Sequence, residues 1–193
     1  MSCVESKRKL SSGEMDMLRS LIGSTIQSIE GCIVSYPNAA WSTVRIHAES
    51  ESIDAINRQE PMTMDEFGNQ DEFGTLHVCS APQEALEMLE ASSEATSFSL
   101  NKEIRSMTLF NERIDVYGEG DLVASVEFTQ AIAFDLGDEF LVLDKETWFG
   151  ETISIKRGTS LEGLIYDDAK NWEDDPEEQP TTHYEVRTER LRL

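Results

Sequence analysis

Apolar and polar residues alternate along much of the chain, and this pattern predicts strands that bury one face. Segment 43–48 alternates in this way, and so do 122–128 and 132–136. Glycine-containing turns at 118–120 and 137–138 separate successive runs, as hairpin turns do. The sequence therefore predicts an antiparallel meander, with strands near 100–117, 121–128, 130–136, 139–144 and 151–156.

The apolar residues of each alternating run are expected to face a common core. A further strand is predicted from Thr182, where the alternation resumes near the end of the chain. The predicted core residues are Val44, Ile46, Leu122, Val126, Phe128, Ile132, Phe134, Leu136, Phe140, Val142, Ile153 and Ile155.

Helical signals occur at two places. Ser11 is followed three residues later by Glu14, which fits a capping box, and apolar residues then recur at helical spacing until a glycine stops the pattern. These signals predict a helix over about 12–22. A second short helix is predicted after Ser80, where a proline begins a segment whose apolar residues share one face.

These elements define an α+β fold class: a predominantly antiparallel sheet, curved or barrel-like, with two short helices. A chain of 193 residues can bury such a core without disulfides, so residues 1–193 are expected to form a single domain. The N-terminus, about residues 1–10, is expected to be flexible. Two acidic stretches, about 61–74 and 167–180, interrupt the order of strands and are predicted to be long loops.

Segment 136–143, Leu-Gly-Asp-Glu-Phe-Leu-Val-Leu, resembles the signature hairpin of diguanylate cyclases. In that family two glycines approach a nucleotide, and the acidic residues serve metal binding and catalysis. Leu136 stands where the family has its first glycine, and the helix-separated strands that the family needs are not indicated in this region. The segment is therefore interpreted as a Gly-Asp hairpin turn, and no cyclase activity is predicted.

The net charge is strongly negative. Thirty-eight Asp and Glu residues against 16 Lys and Arg residues give a formal charge of −22. Because this field repels phosphates, direct binding to nucleic acid or to an anionic membrane is not expected. A basic protein is the expected partner, and opposite charges would make its association fast and salt-sensitive.

Cysteine usage and the lack of catalytic motifs further limit the kinds of protein that this sequence can encode. Cys3, Cys32 and Cys79 are odd in number and widely spaced, so neither a disulfide framework nor a zinc site is predicted. No metal and no cofactor are expected, and a reducing, cytoplasmic location is predicted. No hydrolase or phosphate-binding motif occurs, which favours a protein that is not an enzyme.

The second acidic stretch contains the residues predicted to bind a partner, because seven acids there surround a lone tryptophan. An aromatic side chain rimmed by charge is typical of an interface anchor. The sequence thus favours an acidic interaction module, comparable to bacterial immunity or antitoxin proteins that inhibit a basic protein. The alternatives are a nucleic-acid mimic, and a small-ligand-binding domain or unrecognised enzyme. The predicted partner-binding residues are Asp167, Asp168, Trp172, Glu173, Asp174 and Asp175.

Overall fold

A computed structural model describes residues 3–35, 39–63, 70–81, 95–166 and 182–193. These ranges contain one helix, α1 (Ser12–Ser20), and eleven strands. The strands are β1 (Val4–Arg8), β2 (Thr25–Ser35), β3 (Ala39–Ala48), β4 (Ser52–Thr63), β5 (Gln70–Ser80), β6 (Ala95–Glu103), β7 (Ser106–Gly118), β8 (Asp121–Asp135), β9 (Phe140–Lys145), β10 (Thr152–Gly158) and β11 (Thr182–Arg192).

The strands form one branched sheet that is almost entirely antiparallel. Its main path runs β11–β7–β8–β9–β10–β3–β2–β6, and β7 to β10 follow one another as a meander. β1 lies parallel to β8, while β4 pairs with β3 and continues the branch to β5. Among the described strands, β11 and β6 end the path without pairing to each other, so the sheet is not closed into a barrel.

The sheet branches at two forks. The edge of β8 pairs with β1 as far as Phe128 and with β9 from Ala131 onward. The edge of β3 pairs with β10 as far as Trp41 and with β4 from Thr43 onward. At each fork, one edge of a single strand therefore forms hydrogen bonds first with one neighbouring strand and then with another.

A β-bulge lies at each fork. Gln130 is the extra residue of β8 opposite β7. Ser42 lies in a bulged part of β3 opposite β2, has a φ of 62°, and donates its backbone N–H to Glu151 O at 3.0 Å. Because a bulge bends a strand and interrupts its ladder, it allows the edge to leave one partner and join the next.

Buried amide side chains satisfy backbone carbonyls at the forks. Gln130 Nε2 donates to Lys145 O at 2.6 Å. Asn57 Nδ2 donates to Gly150 O at 3.0 Å and to Thr152 O at 3.1 Å. A buried carbonyl without a hydrogen bond costs about 1–3 kcal/mol, so each amide stabilises its fork by removing that cost.

The main core lies between α1 and the inner faces of the surrounding strands. The predicted capping box is confirmed, since Ser11 N–H donates to Glu14 Oε2 at 2.7 Å and Ser11 Oγ accepts from Glu14 N–H at 3.4 Å. Leu18 of α1 has no exposed surface. Glu14 Oε1 also accepts from Val78 N–H at 3.1 Å, which fixes the helix to β5.

Most of the predicted elements are confirmed. The meander and the final strand from Thr182 are present, and the predicted core residues are buried except Leu122 and Phe140, which are half-buried. The Gly-Asp turn is also confirmed: Gly137 has a φ of 94°, and Leu136 N–H donates to Glu139 O at 2.9 Å.

Some boundaries were wrong. Segments 121–128 and 130–136 form the single strand β8. The bulge at Gln130 does not end the strand, but it reverses which face of the sheet the alternate side chains point to. Conversely, the interval 100–117 spans the end of β6 and most of β7, with a break at Ile104 and Arg105.

The segments predicted to be irregular contain strands. Residues 4–8, in the N-terminus that was expected to be flexible, form β1. The interval 61–74 includes the end of β4 and the start of β5, while 64–69 lie outside the described residues. The second predicted helix falls on 82–94, also outside them, and stays a prediction. Within the described ranges no helix is long and apolar enough to cross a membrane.

Candidate functional site: an apolar cleft beside an acidic pole

The predicted partner-binding residues, from Asp167 to Asp175, lie outside the described part of the chain. The chain re-enters the described ranges at Thr182, which pairs with Gly118 of β7. At this end of the sheet the described residues form a small apolar cleft of about 40 Å³ that opens to solvent. Its lining residues are Met62, Phe73, Ile114, Val116, Val126, Trp148, Phe149 and Tyr184.

Strand register explains why these side chains meet. Ile114 and Val116 are two residues apart on β7 and therefore point to the same face. Ile114 lies opposite Val126 of β8, and Val116 lies opposite Tyr184 of β11. The cleft is thus an apolar face of three neighbouring strands, closed on its far side by β4, β5 and the β9–β10 turn.

Aromatic contacts shape the walls of the cleft. The Phe73 ring lies 5.8 Å from that of Phe149, edge to face, and Trp148 lies 6.4 Å from Tyr184. Phe73 and Trp148 are buried, whereas Phe149 and Tyr184 are half-buried. The cleft therefore has a buried aromatic interior and a half-buried aromatic rim.

Contacts beneath the cleft hold its walls in place. Lys145 is fully buried, and its Nζ donates to Gly74 O and lies 4.3 Å from the centroid of the Phe73 ring. Gly74 N–H donates to Trp148 O at 2.7 Å. A Cβ at Gly74 would overlap Gly150 O, so only glycine lets the β9–β10 turn approach β5 this closely. The cleft is therefore preformed by the fold.

Four exposed acids lie close in sequence or strand register to residues that line the cleft. Two of them lie near the start of β5, just before Phe73, and one of these is the cross-strand partner of Met62. A third lies in the turn after β7, and the fourth begins β8. None of the four forms an ion pair within the described ranges. The nearest cation on the β4–β5 hairpin, Arg58, pairs with Glu60 at 2.9 Å. We name these four residues the acidic pole: Asp71, Glu72, Glu119 and Asp121.

The opposite face of the same three strands carries charges that are paired. Arg113 lies 2.9 Å from Asp115 and 3.3 Å from Glu127, and Lys9 lies 2.9 Å from Glu127. Burial alone would raise the pKa of Asp115, but hydrogen bonds from Ser125 and Arg113 hold it below its usual value. We name this surface the ion-paired face: Lys9, Arg113, Asp115, Glu127 and Arg187.

The three histidines do not converge. His47 contacts a glutamate and a serine, His77 contacts two other glutamates, and His183 lies 6.0 Å from the ring of Tyr117. Within the described ranges, no group of three or more His, Cys, Asp and Glu side chains is arranged to hold a metal ion. The three cysteines all lie in these ranges as thiols.

A buried ion pair occupies a face where the sequence pattern suggested exposure. Arg45 Nε and Nη2 donate to the Asp54 carboxylate at 2.7 and 2.8 Å, and both side chains are fully buried. Burial and then the Asp54 charge raise the pKa of Cys79, its neighbour on β5. Because the thiolate is the nucleophilic form, this environment disfavours thiol chemistry at Cys79.

No family model matches this chain, and neither a curated protein nor a solved structure matches it significantly. The cleft was not predicted from the sequence, because its lining comes from five strands and one turn that are far apart along the chain. The one available signal was the presence of Met62 and Phe73 within a stretch interpreted as an acidic loop.

Proposed function

We propose that the protein is a non-enzymatic acidic module that binds a basic protein partner, in the manner of an immunity- or antitoxin-type inhibitor in the cytoplasm. The observation that supports this proposal is the distribution of charge. The acidic pole carries four exposed acids without a described ion pair, whereas the acids on the ion-paired face are neutralised by Lys and Arg.

Two further acidic segments adjoin these strands in sequence. Segment 64–69 leaves β4 at Thr63 and returns at Gln70, and segment 167–181 returns at Thr182. These two segments carry nine acidic residues and a single lysine. Acids concentrated in this way favour a cationic partner, whose approach they accelerate. The proposed binding residues are the acidic pole together with Asp167, Asp168, Trp172, Glu173, Asp174 and Asp175.

The test is affinity capture from native lysate at low and high salt, followed by association kinetics with the purified basic protein. Neutralising the pole, or neutralising the acids of 167–175, should slow association and flatten its salt dependence. Trp172→Ala should mainly speed dissociation. The pole variant combines Asp71→Asn, Glu72→Gln, Glu119→Gln and Asp121→Asn.

A matched control removes the same charge from other exposed positions. If the control slows association as much as the pole variant does, net charge alone drives binding and the proposed site is wrong. Capture of no basic protein at low salt would contradict the proposed function itself. The control variant combines Glu5→Gln, Glu49→Gln, Glu103→Gln and Glu162→Gln, which are exposed and form no described ion pair.

A further inference from the structure

We infer that the apolar cleft is an anchor site for one aliphatic or aromatic side chain, presented by the basic partner between lysines or arginines. This inference rests on the proposed function and adds to it the chemistry of the bound segment. It joins two independent observations, the preformed apolar cleft and the exposed acids that neighbour its lining residues in sequence or register.

The lining chemistry selects an apolar group. Every lining side chain is aliphatic, aromatic or methionine, and the Tyr184 hydroxyl and the Trp148 indole N–H are the polar side-chain groups among them. Pockets for small polar ligands need several convergent polar groups to fix orientation, and this lining offers few. An apolar side chain that leaves water for such a cleft gains affinity in proportion to the area buried.

The acids near the cleft favour positively charged residues on either side of the partner's anchor residue. Asp71, the cross-strand partner of Met62, lies on the face of β5 that carries Phe73, and the β7–β8 turn that carries Glu119 begins just after Gly118, two residues beyond Val116. Cations on either side of an anchor residue would therefore meet carboxylates without giving up existing ion pairs. An apolar centre within a charged rim is the usual anatomy of a protein interface.

The same charges argue against a second copy of this chain as the occupant. Each copy has a formal charge of −22, and apposing two cleft mouths would bring two acidic poles together. Like-charge juxtaposition opposes such contact. A cationic segment is the occupant that the charge distribution favours.

The test uses fluorescein-labelled lysine peptides with one central residue: leucine, tryptophan or serine. A glutamate peptide with central leucine controls for charge. The leucine and tryptophan peptides should bind at least about tenfold more tightly than the serine peptide, as expected for burying one large apolar side chain. Val116→Phe, which fills the cleft, should abolish this difference, and Leu122→Phe, on the same hairpin but outside the lining, should preserve it.

The outcomes separate the two proposals. Equal binding of the leucine and serine peptides would overturn the anchor site while leaving recognition of basic partners intact. Failure of every lysine peptide to exceed the glutamate peptide would overturn both. Tighter binding of the leucine peptide by Trp172→Ala would show that this chain's own tryptophan occupies the cleft. Concentration-dependent dimerisation that Val116→Phe abolishes would show a second copy there. Either of these last results overturns the inference. Circular dichroism of each variant checks that it is folded.

Discussion

The two faces of β7, β8 and β11 use one backbone in opposite ways. On one face Ile114, Val126 and Tyr184 form an apolar cleft whose acidic rim lacks ion pairs within the described ranges. On the other face Arg113, Asp115 and their neighbours neutralise one another. The period of two that separates adjacent residues onto opposite faces makes this arrangement possible.

The comparison separates two sets of carboxylates, those that form ion pairs within the fold and those that form none among the described contacts. Carboxylates of the ion-paired face take part in the fold, because their hydrogen bonds are made within the chain. Carboxylates of the acidic pole have no such role among the described contacts, and in the proposed function their charge serves a partner. Removing an acid from one face should change stability, and removing one from the other should change binding.

The largest loss of stability is expected for a substitution in the buried apolar cluster beneath the cleft. Phe128→Ala removes a fully buried ring that packs 5.0 Å from Phe73. The free energy of unfolding should fall by about 3–5 kcal/mol. Glu127→Ala, one residue away on the opposite face, should cost less than about 1 kcal/mol. Urea unfolding of both variants measures the contrast, and equal losses would mean that the assigned faces are wrong.

Asp115 should show the next largest effect. It is buried and accepts hydrogen bonds from Ser125 Oγ at 2.7 Å and Arg113 Nε at 2.9 Å. Asp115→Ala should therefore lower the free energy of unfolding by about 2 kcal/mol. Asp71→Ala, at the acidic pole, should change it by less than about 0.5 kcal/mol.

The pH dependence of Asp115 follows from its lowered pKa. Its stabilising contribution is fully present above the unfolded pKa of about 3.9 and is lost as pH falls through the lower folded pKa. The stability difference between the wild type and Asp115→Asn should therefore shrink on acidification below about pH 4. A difference that stays constant down to pH 2 would contradict the assigned ionisation.

A smaller effect of opposite sign is expected when the whole acidic pole is neutralised. Because like charges repel, the four-residue pole variant should melt at the same temperature as the wild type or slightly higher at low salt. High salt should remove any gain, since exposed charges are screened. Differential scanning calorimetry at both salt concentrations provides the measurement. A clear loss of stability would show that the pole acids support the fold.

The smallest change in stability is expected for Lys9, which lies at the exposed edge of the ion-paired face. Lys9 is partly exposed and pairs with Glu127 at 2.9 Å. Exposed pairs contribute little, so Lys9→Gln should lower the free energy of unfolding by less than about 0.5 kcal/mol. Chemical denaturation at low salt measures this difference. A loss comparable to that of Asp115→Ala would mean that the whole face acts as one cooperative network.

Local patterns allowed the meander to be predicted, because alternation and glycine turns specify hairpins between neighbours in sequence. They failed at β8. Even-numbered positions from 122 to 136 are nearly all apolar, which suggests one common face. The bulge at Gln130 instead places Val126 beside the cleft and Ile132 in the main core, on opposite faces. A bulge depends on three strands meeting at a fork and has no local signature here.

The candidate site was even less accessible to sequence reasoning. Charge alone pointed to a basic partner, but the predicted residues from Asp167 to Asp175 lie outside the described ranges. Arg45 alternates with apolar residues and so suggested a solvent-facing position, although Asp54 binds it in the interior. In both cases the decisive contacts join segments whose register the sequence pattern does not specify.

The parallel pairing of β1 with β8 has a consequence for biosynthesis. Val4 pairs with Ala124, and Leu10 N–H donates to Thr129 Oγ1. The ribosome must therefore add about 120 residues before the first strand can find its partner, which takes roughly 6–24 s at ordinary elongation rates. During that time the backbone hydrogen-bonding groups of β1 lack their partners on β8. Contacts between residues so far apart in sequence also slow refolding. A chain arrested before β8 should therefore leave its first ten residues open to proteases, and completion of β8 should protect them.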